Sequence, residues 1–231
     1  MKTYTVHLVK TSKFTAFKSL WSPPNPIDIR GMLNIECMRG MTLGAPLFSF
    51  QRILLQQLVV FIAWENSEAI DDFLENHSFG KLLSEGWYVR LALVRQWGSC
   101  YPYQNLDTEQ QSYSSQDPIV ALTLARMSLF QLPRFLHWGR PAEKLVRDDQ
   151  TAPLAIAAIR LPKTIATFSV WKSLDDMLNM VHGKNAVDAP KRHADAMKER
   201  RRKNFYDEFT TLRFVPISEH GTWNGKHFFS I

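Results

Sequence analysis

The hydrophobic pattern of the chain falls into two matching series. Leu58-Val59-Val60-Phe61-Ile62-Ala63-Trp64 is an unbroken apolar run rich in β-branched and aromatic side chains, which predicts a buried strand. Asn66 or Ser67 can cap the helix that follows, whose Ile70, Phe73 and Leu74 share one face. The same order returns later as Ile165-Ala166-Thr167-Phe168-Ser169-Val170-Trp171, then Ser173 as a cap, then Met177, Met180 and Val181 on one face. Phe61 aligns with Phe168, and Trp64 with Trp171.

The correspondence extends on both sides of these pieces. Each series opens on a strand, Tyr4 to Val9 and Ile119 to Ala125, followed by a short helix ending in Trp-x-x-Pro, Trp21 to Pro24 and Trp138 to Pro141. Each closes on an alternating strand, Val89-Leu91-Leu93 and Leu212, Phe214 and Val215, followed by a predicted Gly and Trp turn, Trp97-Gly98 and Gly221-Thr222-Trp223. The resulting β-α-β-β-α-β order is the ferredoxin-like motif used twice. The predicted class is α+β: tandem ferredoxin-like repeats forming a domain of the dimeric-α+β-barrel type. The predicted halves are 1–104 and 118–231, with the polar, Gln- and Ser-rich stretch 105–117 as a linker. A ferredoxin-like half leaves one sheet face bare, so two halves are expected to cover each other. Helices would lie outside, with an aromatic-lined space between or beside the sheets.

At 231 residues and 45% hydrophobic content the chain can bury a large core. Fifteen Phe, seven Trp and six Tyr suit a site lined with rings. Two cysteines, Cys37 and Cys100, make neither a disulfide framework nor a four-thiolate site. That composition, with a polar alternating N-terminus in place of a signal sequence, leads to the expectation of a cytoplasmic protein. The strongest apolar run is the one from Leu58 to Trp64, against the roughly 20 residues a membrane-spanning helix needs, so no span is expected. A net charge of +6 would draw anionic lipid, leaving peripheral membrane contact open, or would balance anionic groups held inside. No helix-turn-helix, zinc or RNP pattern accompanies the charge, so specific nucleic-acid binding is not expected. A Gly-rich phosphate loop, a His-Glu-x-x-His motif and a nucleophile elbow are absent from the sequence, which argues against kinases, zinc proteases and common hydrolases.

Thr167-Phe168-Ser169-Val170-Trp171, His193-Ala194-Asp195-Ala196-Met197, Phe205-Tyr206-Asp207-Glu208-Phe209, Arg213-Phe214 and Gly221-Thr222-Trp223-Asn224-Gly225 together resemble the spheroidene monooxygenase family. Val89-Arg90-Leu91, Trp97-Gly98-Ser99 and Leu122-Thr123-Leu124-Ala125 are similar to that family too. The resemblance implies a dimeric α+β-barrel fold and a haem-dependent monooxygenase acting with oxygen on an acyclic carotenoid or other apolar substrate. It also implies an electron donor, leaves a homodimer open, and puts the haem site in the second half. The Gly-rich stretches of the family are replaced by Gly31 to Ser49 and by Ala155-Ile156-Ala157-Ala158, places expected to shape the pocket. The alternatives are a haem lyase or dehydratase of aldoxime type, and a cofactor-free barrel that binds a small molecule.

A haem iron takes an axial imidazole or thiolate on a rigid element. His193 is the first candidate as iron ligand. Asp188 can cap a predicted helix running to about Phe209, on which Ala189, Ala196 and Met197 share the side of His193 and form an apolar stripe. A histidine hydrogen-bonded to a carbonyl is the alternative reading. Met197 and Arg200 are the further cofactor-binding candidates. Arg200 returns to the same side within a basic run, Lys198 to Lys203, and could pair with a propionate or simply face solvent. Trp171 reads as a core or barrel-rim residue first and a substrate contact second, and Tyr206 and Glu208 as hydrogen-bond partners supporting the site or as surface residues at a helix end. No residue is assigned to catalysis. His182, just before Gly183, is explained by helix capping, and Cys100 by an ordinary thiol.

Overall fold

The computed structural model describes residues 2–45, 52–108, 112–182, 198–199 and 202–229, with the backbone alone at 129, 132, 136 and 139–142. The elements run β1 (Thr3–Lys10), α1 (Lys13–Trp21), β2 (Met32–Met41), β3 (Ile53–Trp64), α2 (Ser67–Asn76), α3 (Ser78–Ser84), β4 (Trp87–Ser99), β5 (Ile119–Met127), α4 (Leu132–Asp148), β6 (Leu154–Arg160), β7 (Thr164–Trp171), α5 (Leu174–Val181) and β8 (Tyr206–His220). The strands close an antiparallel barrel in the order β1-β3-β2-β6-β7-β5-β8-β4. Within that ring the first four stand as β4-β1-β3-β2 and the second four as β8-β5-β7-β6, the ferredoxin-like order twice. Two seams join them: a long one between β4 and β8, and a short one pairing Arg39, Gly40 and Met41 with Ile159, Ala158 and Ala157.

Alternation along the strands sorts side chains into an inner and an outer layer. Tyr4, Phe61, Trp87, Leu122, Phe168 and Phe214 point inward and are almost fully buried. Tyr4 packs 5.3 Å from Phe214 and 6.0 Å from Phe61, and Trp87 meets Phe168 at 6.0 Å. Rings in offset and tilted contact fill the interior. The expected space therefore does not lie between the sheet walls.

The helices follow from local signals. Asn66 Oδ1 accepts from Ala69 N at 2.9 Å, so Asn66 and not Ser67 caps α2, and Ser173 Oγ accepts from Asp176 N at 3.0 Å to cap α5. Over the first half, α2 and α3 press Ile70, Phe73 and Leu83 onto Val60, Ile62 and Trp64. A Cβ on Gly80 would lie 1.9 Å from the Phe73 carbonyl, so only glycine lets these two helices come that close.

Three expectations are corrected. The helix predicted to reach about Phe209 ends earlier, because Tyr206 to Phe209 open β8 and pair with Met127, Arg126 and Ala125 of β5; the rings of Tyr206 and Phe209 and the β-branched Thr210 and Thr211 that follow favour that pleated pairing. The Trp97-Gly98 turn is instead the end of β4, where Gly98 takes φ +72° beneath the Phe209 carbonyl. The second short helix does not stop at Pro141. It continues to Asp148, held by Glu143, which accepts from Gly44 N at 3.0 Å, and by Arg147, which donates to the Leu43 carbonyl at 3.2 Å. Among the described residues no helix is long and apolar enough to cross a membrane.

Candidate functional site

Strand pairing defines equivalent positions in the two halves. Phe61 lies opposite Val6, and Phe168 opposite Leu122. On the outer face, Val60, Ile62, His7, Val9 and Tyr88 of the first half thus correspond to Thr167, Ser169, Thr123, Ala125 and Thr211 of the second. Ile62, His7, Val9 and Tyr88 are thus replaced by smaller side chains, and Val60 by a threonine of similar shape. The same sheet surface that is sealed beneath α2 and α3 is hollowed beneath α4 and α5. The result is a cavity of about 700 Å³ between the outer face of β5, β7 and β8 and these two helices. That volume lies inside the range of roughly 300–1,000 Å³ common for ligand and cofactor sites.

Ala121, Thr123, Thr167 and Thr211 form the floor. Met177, Leu178, Met180 and Val181 of α5 form one wall, and Phe135 of α4 with Phe205, Tyr206 and Phe209 the other. At one end Arg52 lies 3.8 Å from Glu143, both largely buried. At the other end Arg95 and Arg213 stand over the ring of Trp97, at 4.2 and 4.8 Å from its centroid. The lining is thus apolar through the middle, with an ion pair at one end and two arginines at the other.

Of the residues singled out by sequence, Trp171 and Tyr206 meet in this lining. Trp171 is 1% exposed and donates its indole N–H to Ser169 Oγ at 2.9 Å. Tyr206 stands 5.9 Å from Phe135 and 5.2 Å from Phe209, ring to ring. Glu208 is not brought to the cavity: it pairs with Arg126 at 2.8 Å and accepts from Tyr101 N at 3.1 Å. His193, Met197 and Arg200 lie outside the described residues. The chain on either side of them does line the cavity, at Val181 and His182 before and at Phe205 and Tyr206 after.

His182 was assigned a capping role, and its backbone N–H does bond the Leu178 carbonyl at the end of α5. It also lines the cavity, where it is the one imidazole among the described lining residues. The cysteines are buried and away from this lining; burial pushes the Cys37 thiol up to about 12 and the Cys100 thiol up to about 11, which disfavours thiolate ligation by either. Among the described residues no three His, Cys, Asp or Glu side chains gather to hold a bare metal ion. Arg95, Trp97 and Arg213 are not singled out as site residues by the sequence, although the exchange of Ile62 for Ser169 within the matched strands is a readable sign of a hollowed face.

No family model matches the chain. It is 26% identical over 149 residues to the spheroidene monooxygenase of Cereibacter sphaeroides, covering 63% of this chain and 44% of that protein. It is 30% identical over 112 residues to the spheroidene monooxygenase of Rubrivivax gelatinosus, covering 48% of this chain and 40% of that protein. The match therefore spans less than half the length of either relative. Among solved structures, an aldoxime dehydratase in complex with butyraldoxime superposes with a TM-score of 0.55 at 7% identity, over 94% of this chain and 79% of that one. The chain is distantly similar in sequence to proteins named monooxygenase and shares its barrel fold with an enzyme of another name.

Proposed function

We propose that the protein is a haem-dependent monooxygenase acting on an apolar substrate, with the porphyrin and the substrate held in the cavity of the second half. The observation that carries this reading is the contrast between the two outer faces: one is packed solid and the other is opened by small residues to about 700 Å³. The fit to haem rests on a floor of small residues, Ala121, Thr123 and Thr167, on the Arg95 and Arg213 end, suited to a propionate, and on the buried Arg213 Nε, which lacks a hydrogen-bond partner among the described residues. His193 is the proposed iron ligand. It belongs to the stretch connecting α5 with β8, both of which contribute to the cavity wall, and His182 is the alternative imidazole.

Haem bound there would supply the oxygen-activating chemistry. The chain's own residues do the rest. Phe135, Phe205, Phe209, Met177 and Met180 exclude water and give an apolar substrate a surface to lie on. Trp171 and Tyr206 flank the same space, and an electron donor would be required from outside. The similarity to proteins named spheroidene monooxygenase supports the reaction type.

The test is an absorption spectrum of purified protein before and after addition of haemin, followed by turnover with a reductant and an acyclic carotenoid. A Soret band is expected that His193→Ala abolishes and His182→Ala leaves in place. A band lost only in His182→Ala reassigns the ligand. A protein that stays colourless and rejects haemin is instead a cofactor-free binder, and the proposal falls.

A further inference from the structure

Arg95 and Arg213 face each other directly in the antiparallel pairing of β4 with β8. Like charges at such a position repel. Both guanidinium groups also gather on the single indole of Trp97. Arg213 is 5% exposed, and its Nε finds no acceptor among the described residues. Burial holds its pKa below the usual arginine range, against a hydrogen bond with Tyr113 that works the other way.

The first half shows how this position is ordinarily satisfied. Pairing makes Arg90 the counterpart of Arg213, since Arg90 lies opposite Thr5 and Arg213 opposite Ala121. Arg90 is ion-paired to Asp71 of α2. Counting from the matched tryptophans, the residue of α5 equivalent to Asp71 is Leu178, which lines the cavity. The acid has been exchanged for an apolar residue while the arginine has stayed, and a second arginine has been set against it. Among the described residues neither Arg95 nor Arg213 has a carboxylate partner. The acid in the cavity lining, Glu143, is engaged at the opposite end by Gly44 N and Arg52. A buried cation left in this state is costly unless an anion meets it.

We propose that Arg95 and Arg213 form a carboxylate-binding end of the cavity. Its ligand is then an amphiphile: an apolar body along the floor of small residues, with a carboxylate delivered to the Trp97 end. The guanidinium fork matches the two oxygens of a carboxylate, and the indole stacked beneath keeps the forks in place. A porphyrin propionate and the head group of a long-chain acid offer the same chemistry there. The inference rests on the cavity described above and not on the presence of iron.

The test compares two acid and ester pairs, haemin with its dimethyl ester and palmitate with methyl palmitate, by quenching of tryptophan fluorescence in the full chain. Each compound is titrated at low and high salt. In at least one pair the acid is expected to bind about tenfold tighter than the ester, the worth of a charge-assisted hydrogen bond, with the preference shrinking as salt rises. Arg213→Gln and Arg95→Gln should each remove most of that preference while leaving ester binding nearly unchanged. Arg95 is exposed, so its variant carries the test if Arg213→Gln fails to fold. A preference confined to the porphyrin pair assigns the site to a propionate, and one confined to the palmitate pair assigns it to a substrate head group. Equal binding of acid and ester, an undiminished preference in Arg95→Gln, or no binding of any of the four compounds overturns the proposal. A Soret band without acid preference would sink this inference and spare the haem reading; palmitate discrimination in a protein that rejects haemin would do the reverse.

Discussion

Trp171 donates its indole N–H to Ser169, two residues back on the same strand, at 2.9 Å, whereas its counterpart Trp64 reaches across to Thr5 on the neighbouring strand at 2.9 Å. The two tryptophans hold the same place in their halves but settle their one polar atom differently. In the second half Thr5 is replaced by Ala121, which has no oxygen to offer, and the serine that opens the cavity takes over as acceptor.

Ser169→Ala should therefore cost stability beyond the loss of one hydroxyl. It strands an indole N–H at a residue that is 1% exposed, a penalty of about 1–3 kcal/mol. Urea unfolding would measure it. A change within about 0.5 kcal/mol, the level of an ordinary surface substitution, would mean that the indole finds another acceptor.

Thr167→Leu tests the hollowed face itself. Thr167 lies on the cavity floor at the position filled by Val60 in the first half, and a larger apolar side chain there occupies the space of the ligand. Binding of haemin or of an apolar dye should be lost, with the urea midpoint little changed because the added carbons enter a void. Retention of wild-type binding would place the ligand elsewhere.

His7 gives the stability an acid-side slope. It is fully buried, stacked 5.0 Å from Tyr88, and burial lowers its pKa from 6.5 to about 3. Above pH 6.5 the ring is neutral folded or unfolded, and stability is unaffected. Between pH 6.5 and about 3 the unfolded chain takes up a proton that the folded one refuses, so stability falls by roughly 1.4 kcal/mol per pH unit. His7→Leu should flatten that limb of a stability-against-pH curve; an unchanged slope would assign it to other groups.

Glu219 ties the end of the described chain to the barrel. Its carboxylate accepts from Trp87 Nε1 at 2.5 Å and from the amides of Phe228 and Phe229 at 2.8 and 3.0 Å. Glu219→Ala removes the acceptor of three donors, and a loss of at least about 3 kcal/mol is expected, together with faster amide exchange at 228 and 229. Unaltered exchange there would mean that Phe228 and Phe229 are held by packing alone.

The sequence was most legible where local chemistry repeats. The matched runs ending in Trp64 and Trp171, their caps Asn66 and Ser173, and the apolar faces of α2 and α5 all sit where their pattern puts them. Trp171 and Tyr206, both singled out from the sequence, line the cavity. Arg95 and Arg213 were not singled out, because each reads alone as an ordinary strand arginine, and only pairing across β4 and β8 brings them together on one indole. The start of β8 was misread because the basic stretch before it has helical spacing, while partners on β5, distant in the chain, draw Tyr206 to Phe209 into the sheet.

By itself the amino-acid order determined the duplicated series of strands and helices, since it depends on residue type and period over short stretches of chain. The tertiary structure alone decided that the barrel closes through β2–β6 and β4–β8, and that the free space lies outside the second sheet rather than within the barrel. Closure depends on contacts between residues far apart in the chain, and a void depends on the mismatch of two packed surfaces, which no single segment carries.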